Sequence, residues 1–329
     1  MLFGIISPPA LAESSLALTL ENEATWKLLT AGTGNWNDEI RFIPDYTIKN
    51  DSCNFKFNPL IIYDTGNRNF DASVIKECYL DLSWPNQAVL RIGRQMLAWG
   101  KGYYYSPVDQ LTNYHRSAND LKRQIGTDVI AYKNPLAKGG FELATRFDQD
   151  MRLSGLYIYQ NFSGFDLGGY AYTGVAEAYG VSMAGDLGAG FGWHHESLFE
   201  RDSAVWQHLL GFNYLGGSEN IFGISMEYYY NGKGAVVFQP GLMYQLWSMR
   251  DYLLAHFNIR LTNGYELSLR SIYELNQKSN IATLGINWNP NEKFGLYCEY
   301  NILLGETGTL YGTIPVNRSI IAKVTYYIR

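Results

Sequence analysis

Polar side chains recur at every second position along 77–83 and again at Arg91 and Gln95, which is the spacing that a β-strand gives to one of its faces. Glu77, Tyr79 and Asp81 alternate with apolar residues, and Arg91 does the same after a short turn. A three-residue turn would place Asp81 opposite Arg91, where the two side chains can form an ion pair. Such a row of side chains can bind polar solutes or select among ions, and the segment predicts a hairpin with one polar face.

A long aromatic loop, residues 98–124, follows this hairpin and carries both signs of charge. Lys101, Tyr103, Asp109 and Arg116 lie within it. Loops of this length in compact proteins usually have a function. The loop could narrow a pore and select by charge and ring stacking, or it could only seal one end of the molecule.

The same two-faced pattern continues through the rest of the chain in segments of about ten residues. In the segment 251–262, Phe257 belongs to an apolar side, whereas His256 and Arg260 share the other side. A soluble sandwich would turn the apolar side towards a dry core. An outer-membrane barrel would turn it towards lipid and keep water inside.

The composition favours the barrel. The chain has 329 residues, of which 47% are hydrophobic, 15% aromatic and 17% charged. This chain is too long and too aromatic for a typical single sandwich. No apolar run approaches the roughly 18 residues of a membrane-spanning helix. The net charge of −5, with no basic block, argues against nucleic acid as a partner.

We therefore predict an all-β fold, a transmembrane antiparallel β-barrel of about 18 strands, with 16 as the alternative count. Long and short connections alternate along the chain, so that the long ones gather at one end of the barrel. The long connections are predicted at 64–73, 98–124, 231–249 and 305–315, and the short turns at 85–87, 134–138, 263–264 and 289–292.

The first residues resemble the end of a secretory signal. An apolar stretch precedes Ala10 and Ala12, whose spacing is typical of a signal peptidase site just before Glu13. We expect residues 1–12 to be a signal-peptide remnant and residues 13–329 to form a single barrel domain.

Cysteines and histidines predict neither a disulfide framework nor a metal site. Cys78 and Cys298 fall on apolar faces, and Cys53 leaves the number of cysteines odd. His194 and His195 are adjacent, so on a strand they point to opposite faces and cannot both bind one ion. We expect no cofactor and, since the common catalytic motifs are absent, no enzymatic activity.

One short motif resembles a known family. Gly93, Arg94 and Gln95, followed closely by Trp99 and Gly100, are similar to a motif of outer-membrane porins, including alginate-export-type channels and related uncharacterised proteobacterial barrels. The motif covers about a tenth of the chain, with weaker likeness in the last strands. This resemblance implies a transport barrel with an aqueous lumen.

The sequence thus predicts a channel in the bacterial outer membrane that passes small hydrophilic solutes passively through a water-filled lumen narrowed by the long loop. Its expected partners are outer-membrane lipid, the solutes and, during biogenesis, the barrel-assembly machinery. An export conduit for an alginate-like polysaccharide is the alternative, but it predicts a more uniformly charged lumen. A barrel enzyme ranks last.

Charges of both signs nearly balance on the predicted lumen faces, which favours neutral polar or zwitterionic solutes. Pairing across the wall, which would only stiffen the barrel, is the other interpretation. The predicted pore-lining and constriction residues are Glu77, Tyr79, Asp81, Arg91, Gln95, Lys101, Tyr103, Asp109, Arg116, Arg146, Arg152, His256, Arg260, Glu266, Arg270, Glu274 and Glu299.

Overall fold

The structure is a computed structural model that describes residues 13–29, 34–65, 69–97, 99–112, 126–148, 151–217, 221–236, 248–261, 264–314 and 316–328. The expected signal-peptide remnant, Arg116 and most of the connection 231–249 lie outside these described residues. No helix in the described ranges is long and apolar enough to cross a membrane.

Eighteen antiparallel strands make up the described fold, as the sequence predicted. The first nine are β1 (Glu13–Leu29), β2 (Gly34–Lys49), β3 (Cys53–Asp64), β4 (Asn69–Ser83), β5 (Val89–Gln95), β6 (Thr127–Leu136), β7 (Gly139–Asp148), β8 (Met151–Phe162) and β9 (Phe165–Gly174). The other nine are β10 (Ala178–Gly188), β11 (Phe191–Glu200), β12 (Val205–Gly216), β13 (Phe222–Asn231), β14 (Asp251–Arg260), β15 (Tyr265–Glu274), β16 (Ser279–Asn291), β17 (Phe294–Leu304) and β18 (Val316–Ile328).

Each strand pairs with its neighbours in the chain, and β1 pairs with β18, so the sheet closes into a barrel without a free edge. Closure removes the unpaired backbone groups that an open sheet would expose. Short turns such as 137–138 and 163–164 join the strands at one end, here called the short-turn end. The strand ends that flank the connections 96–126, 232–250 and 305–315 lie at the other end, here called the long-loop end.

The hairpin formed by β4 and β5 has the predicted register. Asp81 pairs with Arg91, and Leu82 pairs with Leu90. The tight connection closes through a 2.9 Å hydrogen bond from the Trp84 amide to the Ala88 carbonyl. The period of two in this segment was therefore sufficient to place its side chains.

The connection between β3 and β4 is shorter than predicted. The sequence suggested a loop over 64–73, whereas β4 already begins at Asn69. The ladder between these strands shifts register at Asn58/Pro59 and again at Ile62/Tyr63. Bulges of this kind break the alternation of apolar and polar residues, which hid the start of the strand.

The outer face of the barrel is apolar and has aromatic residues near both ends. Leu269 and Leu284 lie at mid-strand and are about half exposed, at 51% and 50%. Trp288 stacks on Tyr265 with ring centroids 5.4 Å apart at the short-turn end. Trp36, near the long-loop end, is 70% exposed. An apolar band between aromatic girdles is the surface that a lipid bilayer requires.

The two faces of the wall should respond differently to an added charge. We expect L269R, on the outer face of β15, to lower the free energy of unfolding by about 2–4 kcal/mol, because arginine would enter the hydrocarbon layer. S225R, on the inner face of β13 opposite His256, should change it by less than about 1 kcal/mol. Urea unfolding in lipid vesicles measures both, and equal losses would contradict a lipid-facing exterior.

Candidate functional site

Residues 99–112, here called the infolded segment, lie inside the barrel against its inner wall. Trp99 is 2% exposed and packs on Tyr157 and Tyr172, with ring centroids 5.7 and 5.9 Å away. Its indole Nε1 donates a 2.7 Å hydrogen bond to Glu142 on β7. The loop that the sequence proposed as a constriction therefore enters the lumen along these described residues.

A buried carboxylate on β11 holds the first part of this segment. Glu196 has no exposed surface and accepts hydrogen bonds from the backbone N–H groups of Lys101 and Gly102, the second of them 2.9 Å long. The Ser106 hydroxyl donates a third bond of 2.6 Å to the same carboxylate. Glu196 thus holds a bend of the segment through its main chain, independently of the loop's own charged side chains.

A second carboxylate, on β13, repeats this arrangement. Glu227 is 1% exposed and accepts bonds from the N–H groups of Tyr103, at 2.7 Å, and Tyr104, at 3.3 Å. His194 lies 2.9 Å from the same carboxylate through its Nε2 atom. Burial of a carboxylate is costly unless hydrogen bonds compensate it, and here the loop amides supply those bonds. We call Glu196 and Glu227 the carboxylate clamp.

The second half of the infolded segment is held mainly by apolar contacts. Val108 and Leu111 are fully buried and belong to a cluster with Trp99. The Tyr172 hydroxyl donates to the Val108 carbonyl. Asp109 is 6% exposed and accepts a 2.8 Å bond from the Thr112 hydroxyl, so it stabilises the fold of the segment and does not face an opening.

Tyrosine and lysine side chains of the segment face the remaining space. Tyr103 is 59% exposed, and its ring meets His194 edge-on. Lys101 reaches within 3.6 Å of Asp166 on β9. Desolvation raises the pKa of the Tyr104 hydroxyl, and the same effect raises the pKa of Tyr103, so both remain neutral donors at physiological pH.

On β4 and β5 the predicted wall residues face the interior. Arg91 donates two hydrogen bonds to Asp81, of 2.5 and 2.9 Å, and its guanidinium lies 3.9 Å from the centre of the Tyr79 ring. Glu77 forms a 2.9 Å ion pair with Lys56 on β3. These charges pair along the wall, as the stiffening interpretation proposed for Asp81 with Arg91.

Gln95 and Glu274 serve structural roles at the long-loop end. Gln95 is 2% exposed and donates a 3.2 Å bond to the Val129 carbonyl. Glu274 has no exposed surface and accepts bonds from the amides of Asn276 and Gln277 in the turn after β15, at 2.6 and 3.0 Å.

The predicted residues of β14, β15 and β17 share the inner wall. Arg260 pairs with Glu266 in the strand register, and His256 pairs with Arg270. Arg270 also forms a 3.3 Å ion pair with Glu299. The ring of His256 meets the ring of Tyr104 edge-on, with centroids 6.4 Å apart. This wall therefore borders the infolded segment directly.

The structure differs from the sequence prediction at Arg152. This residue is exposed and pairs with Phe147, which is 41% exposed on the outer face, whereas the next residue, Leu153, is buried inside. Arg152 therefore points away from the lumen. It is the second residue of β8, where a long side chain can reach water beyond the strand end. Arg146 does lie on the inner face, paired with buried Val129.

The residues that hold the segment were not among those predicted. Glu196 and Glu227 bind backbone amides that lie 90 or more positions away in sequence. The available signal was their position in the strand. Each is a carboxylate at a position whose side chain points into the barrel, and a buried carboxylate requires hydrogen-bond donors. Nothing in the sequence identified those donors as loop amides.

Among the described residues, no group of three or more histidine, cysteine, aspartate or glutamate side chains could hold a metal ion. His194 points inward to Glu227, whereas His195 and His208 stack on the outer face with ring centroids 6.3 Å apart. The adjacent histidines thus occupy opposite faces of β11, as the sequence predicted.

Solved structures share this fold. No protein-family model and no curated protein sequence matches the chain. OccAB2 from Acinetobacter baumannii is 11% identical with a TM-score of 0.66, and the alignment covers 96% of this chain and 98% of that one. OccK2 (OpdF) from Pseudomonas aeruginosa is 10% identical with a TM-score of 0.67 and the same coverage. Another structure of OccK2 is a complex with glucuronate, at 9% identity and a TM-score of 0.66 over 96% of both chains.

The fold therefore defines the class: the described residues form a closed all-β barrel of 18 antiparallel strands, which is the architecture of transmembrane barrels. The likeness extends over nearly the whole length of the chain and of the Acinetobacter and Pseudomonas structures. The barrel that the short Gly-Arg-Gln motif implied is confirmed.

Proposed function

We propose that this protein is an outer-membrane channel through which small hydrophilic solutes pass down their gradients. The observation that carries the proposal is the infolded segment, because the carboxylate clamp fixes it across a lumen with polar walls. A barrel of this size is too wide for its own wall side chains to fill, so a fixed internal segment sets the width of the passage.

Several features support this proposal. The outer face is apolar and the inner face carries hydroxyl, amide and charged groups, which suits a water-filled path through lipid. The solved structures with the same fold include an outer membrane protein, opdK, and a complex with glucuronate, a small polar molecule. We place the long loops outside the cell, the short turns in the periplasm and outer-membrane lipid around the barrel. The barrel-assembly machinery would insert it.

The export of a polysaccharide is less well supported. A polymer conduit should have a uniformly charged and unobstructed lumen, whereas this lumen has paired charges such as Arg91 with Asp81 and contains the infolded segment. We also propose that the chain is not an enzyme, because the buried carboxylates of the clamp, Glu196 and Glu227, are occupied by hydrogen bonds from the infolded segment and are not free to act as a general base.

Solute flux through purified protein in liposomes tests the proposal. We expect vesicles that contain the protein to swell in small sugars and amino acids but not in a large dextran, because the infolded segment restricts the passage. Protein-free vesicles are the control. Swelling rates equal to those of protein-free vesicles would contradict a channel.

Ion selectivity should be weak. Because wall charges of opposite sign are paired, we expect a reversal potential near zero in a salt gradient, with a cation-to-anion permeability ratio within about threefold of one. The variant D81N leaves Arg91 without its 2.5 Å partner and should shift the ratio towards anions. A ratio beyond about tenfold in the unmodified protein would contradict the paired arrangement.

A further inference from the structure

A cavity of about 400 Å³ lies in the inner wall formed by β14 to β18. It occupies the half of the lumen near the short-turn end, where its lining includes Glu266, Asn289 and Tyr327. The infolded segment and the two buried apolar clusters occupy the other half. The cavity adjoins the infolded segment, because His256 lines the cavity and its ring meets the ring of Tyr104, and it extends from there towards the short-turn end.

Two glycines of the inner wall leave polar groups of the cavity uncovered. A Cβ atom at Gly285 on β16 would lie 2.5 Å from the Ser268 hydroxyl, and one at Gly295 on β17 would lie 2.7 Å from the Asn289 amide oxygen. Any other residue would push these polar groups aside or cover them. The glycines thus keep the hydroxyl and the amide facing the cavity.

The neutral polar groups of the cavity are available to a ligand. Ser268, Asn287, Asn289 and Thr325 line it, and within the described ranges their side chains form no hydrogen bond with another side chain. Amides and hydroxyls of this kind both donate and accept, which matches the hydroxyl groups of a sugar. Tyr297 adds an aromatic ring to the same wall.

The cations of the cavity, in contrast, face partners of opposite sign, and Glu266 lies opposite Arg260 in the strand register. Arg270 lies 3.3 Å from Glu299, and Lys323 lies 3.3 Å from Glu21 on β1. An anionic solute would have to compete with these carboxylates for each cation, and a cationic solute would have to compete with Arg270 and Lys323 for each carboxylate. Because these charges offset one another, the electrostatic field in the cavity favours a neutral solute over an anion or a cation.

We propose that this cavity is a binding subsite for neutral polyhydroxylated rings of monosaccharide to disaccharide size. Its volume falls within the range of roughly 300–1,000 Å³ that is usual for small-molecule sites. The inference rests on the proposed function, since solute would reach the subsite through the channel. The inference goes beyond the proposed function because it names the chemical class of solute that binds inside the channel.

Equilibrium binding to the detergent-solubilised full chain tests the subsite. Titration calorimetry would compare methyl glucoside, glucuronate and glucosamine, which are neutral, anionic and cationic versions of one ring. We expect methyl glucoside to bind most tightly of the three. The double variant N287A/N289A should weaken the affinity for methyl glucoside by about tenfold, because the hydrogen bonds from two amides are lost. N213A, which removes an amide from the inner face of β12 outside the cavity, should leave the affinity unchanged.

Blocking of single-channel current by the same three solutes supplies an independent readout. Current with no sugar binding would overturn the subsite and leave the channel intact. Sugar binding without current would support the subsite and overturn the channel. Binding of glucuronate or glucosamine at least about tenfold tighter than methyl glucoside would overturn the neutral class, because it would show that the paired charges are open to solute.

Discussion

The double variant E196A/E227A is expected to raise the single-channel conductance at least about twofold, because it removes the carboxylates that hold the infolded segment across the lumen. The two carboxylates accept four hydrogen bonds from the backbone amides of residues 101–104. Without those acceptors the four amides would have no hydrogen-bond partner where the segment packs on the wall. The segment would then have a lower free energy if it moved into the water of the lumen, where the amides can bond to solvent. Planar-bilayer recording measures the change.

The matched control for the clamp is E23Q. Glu23 also lies on the inner wall, where it accepts hydrogen bonds from Arg41 on the neighbouring strand β2, so its replacement should leave the size of the current steps nearly unchanged. The single variants E196A and E227A should fall between the two, with noisier current than the unmodified protein. Identical step sizes in E196A/E227A and the unmodified protein would mean that the segment does not limit the passage.

The variant W99A should have the largest effect on stability. Trp99 is 2% exposed and fits over Gly155, where an added Cβ would lie only 2.7 Å from the indole ring. Truncation would leave a cavity in the cluster formed with Tyr157 and Tyr172, and it would remove the indole donor of the partly buried Glu142 carboxylate. We expect a loss of about 3–5 kcal/mol in the free energy of unfolding.

Urea unfolding in vesicles, followed by tryptophan fluorescence and by electrophoretic mobility, measures this loss. Y103A is the control, because Tyr103 belongs to the same segment but is 59% exposed, and it should change stability by about 0.5 kcal/mol or less. A similar loss of stability in both variants would show that the whole segment contributes to the free energy of unfolding, and that Trp99 does not anchor the segment.

The strand pattern could be predicted where alternation was unbroken. Asp81 opposite Arg91 followed from the period of two and a short turn, and the structure has that pair. The loop predicted over 64–73 was wrong, because two register shifts disturb the period of the strands there. The prediction for Arg152 was also wrong, since a charged residue near a strand end can face outward and still reach water.

The geometry of the site was less accessible to sequence reasoning. Residue types indicated that loop 98–124 could enter the lumen, but not what would hold it there. The contacts that hold the loop join its backbone amides to carboxylates on β11 and β13. Every residue except proline has a backbone N–H group, so the sequence does not show which of these groups act as donors. Asp109 illustrates the converse, because its charge suggested a pore-lining role, whereas it bonds to Thr112 within the segment.

Thiol accessibility along β13 tests the central claim most directly, since it asks which face of one strand meets water. In a background with alanine at Cys53, Cys78 and Cys298, S225C would place a thiol on the inner face and I224C would place one on the outer face, where Ile224 is 40% exposed. In lipid vesicles a charged water-soluble thiol reagent should modify S225C at least about tenfold faster than I224C, because the thiolate forms only where water reaches. Equal rates, or faster modification of I224C, would contradict a water-filled interior surrounded by lipid.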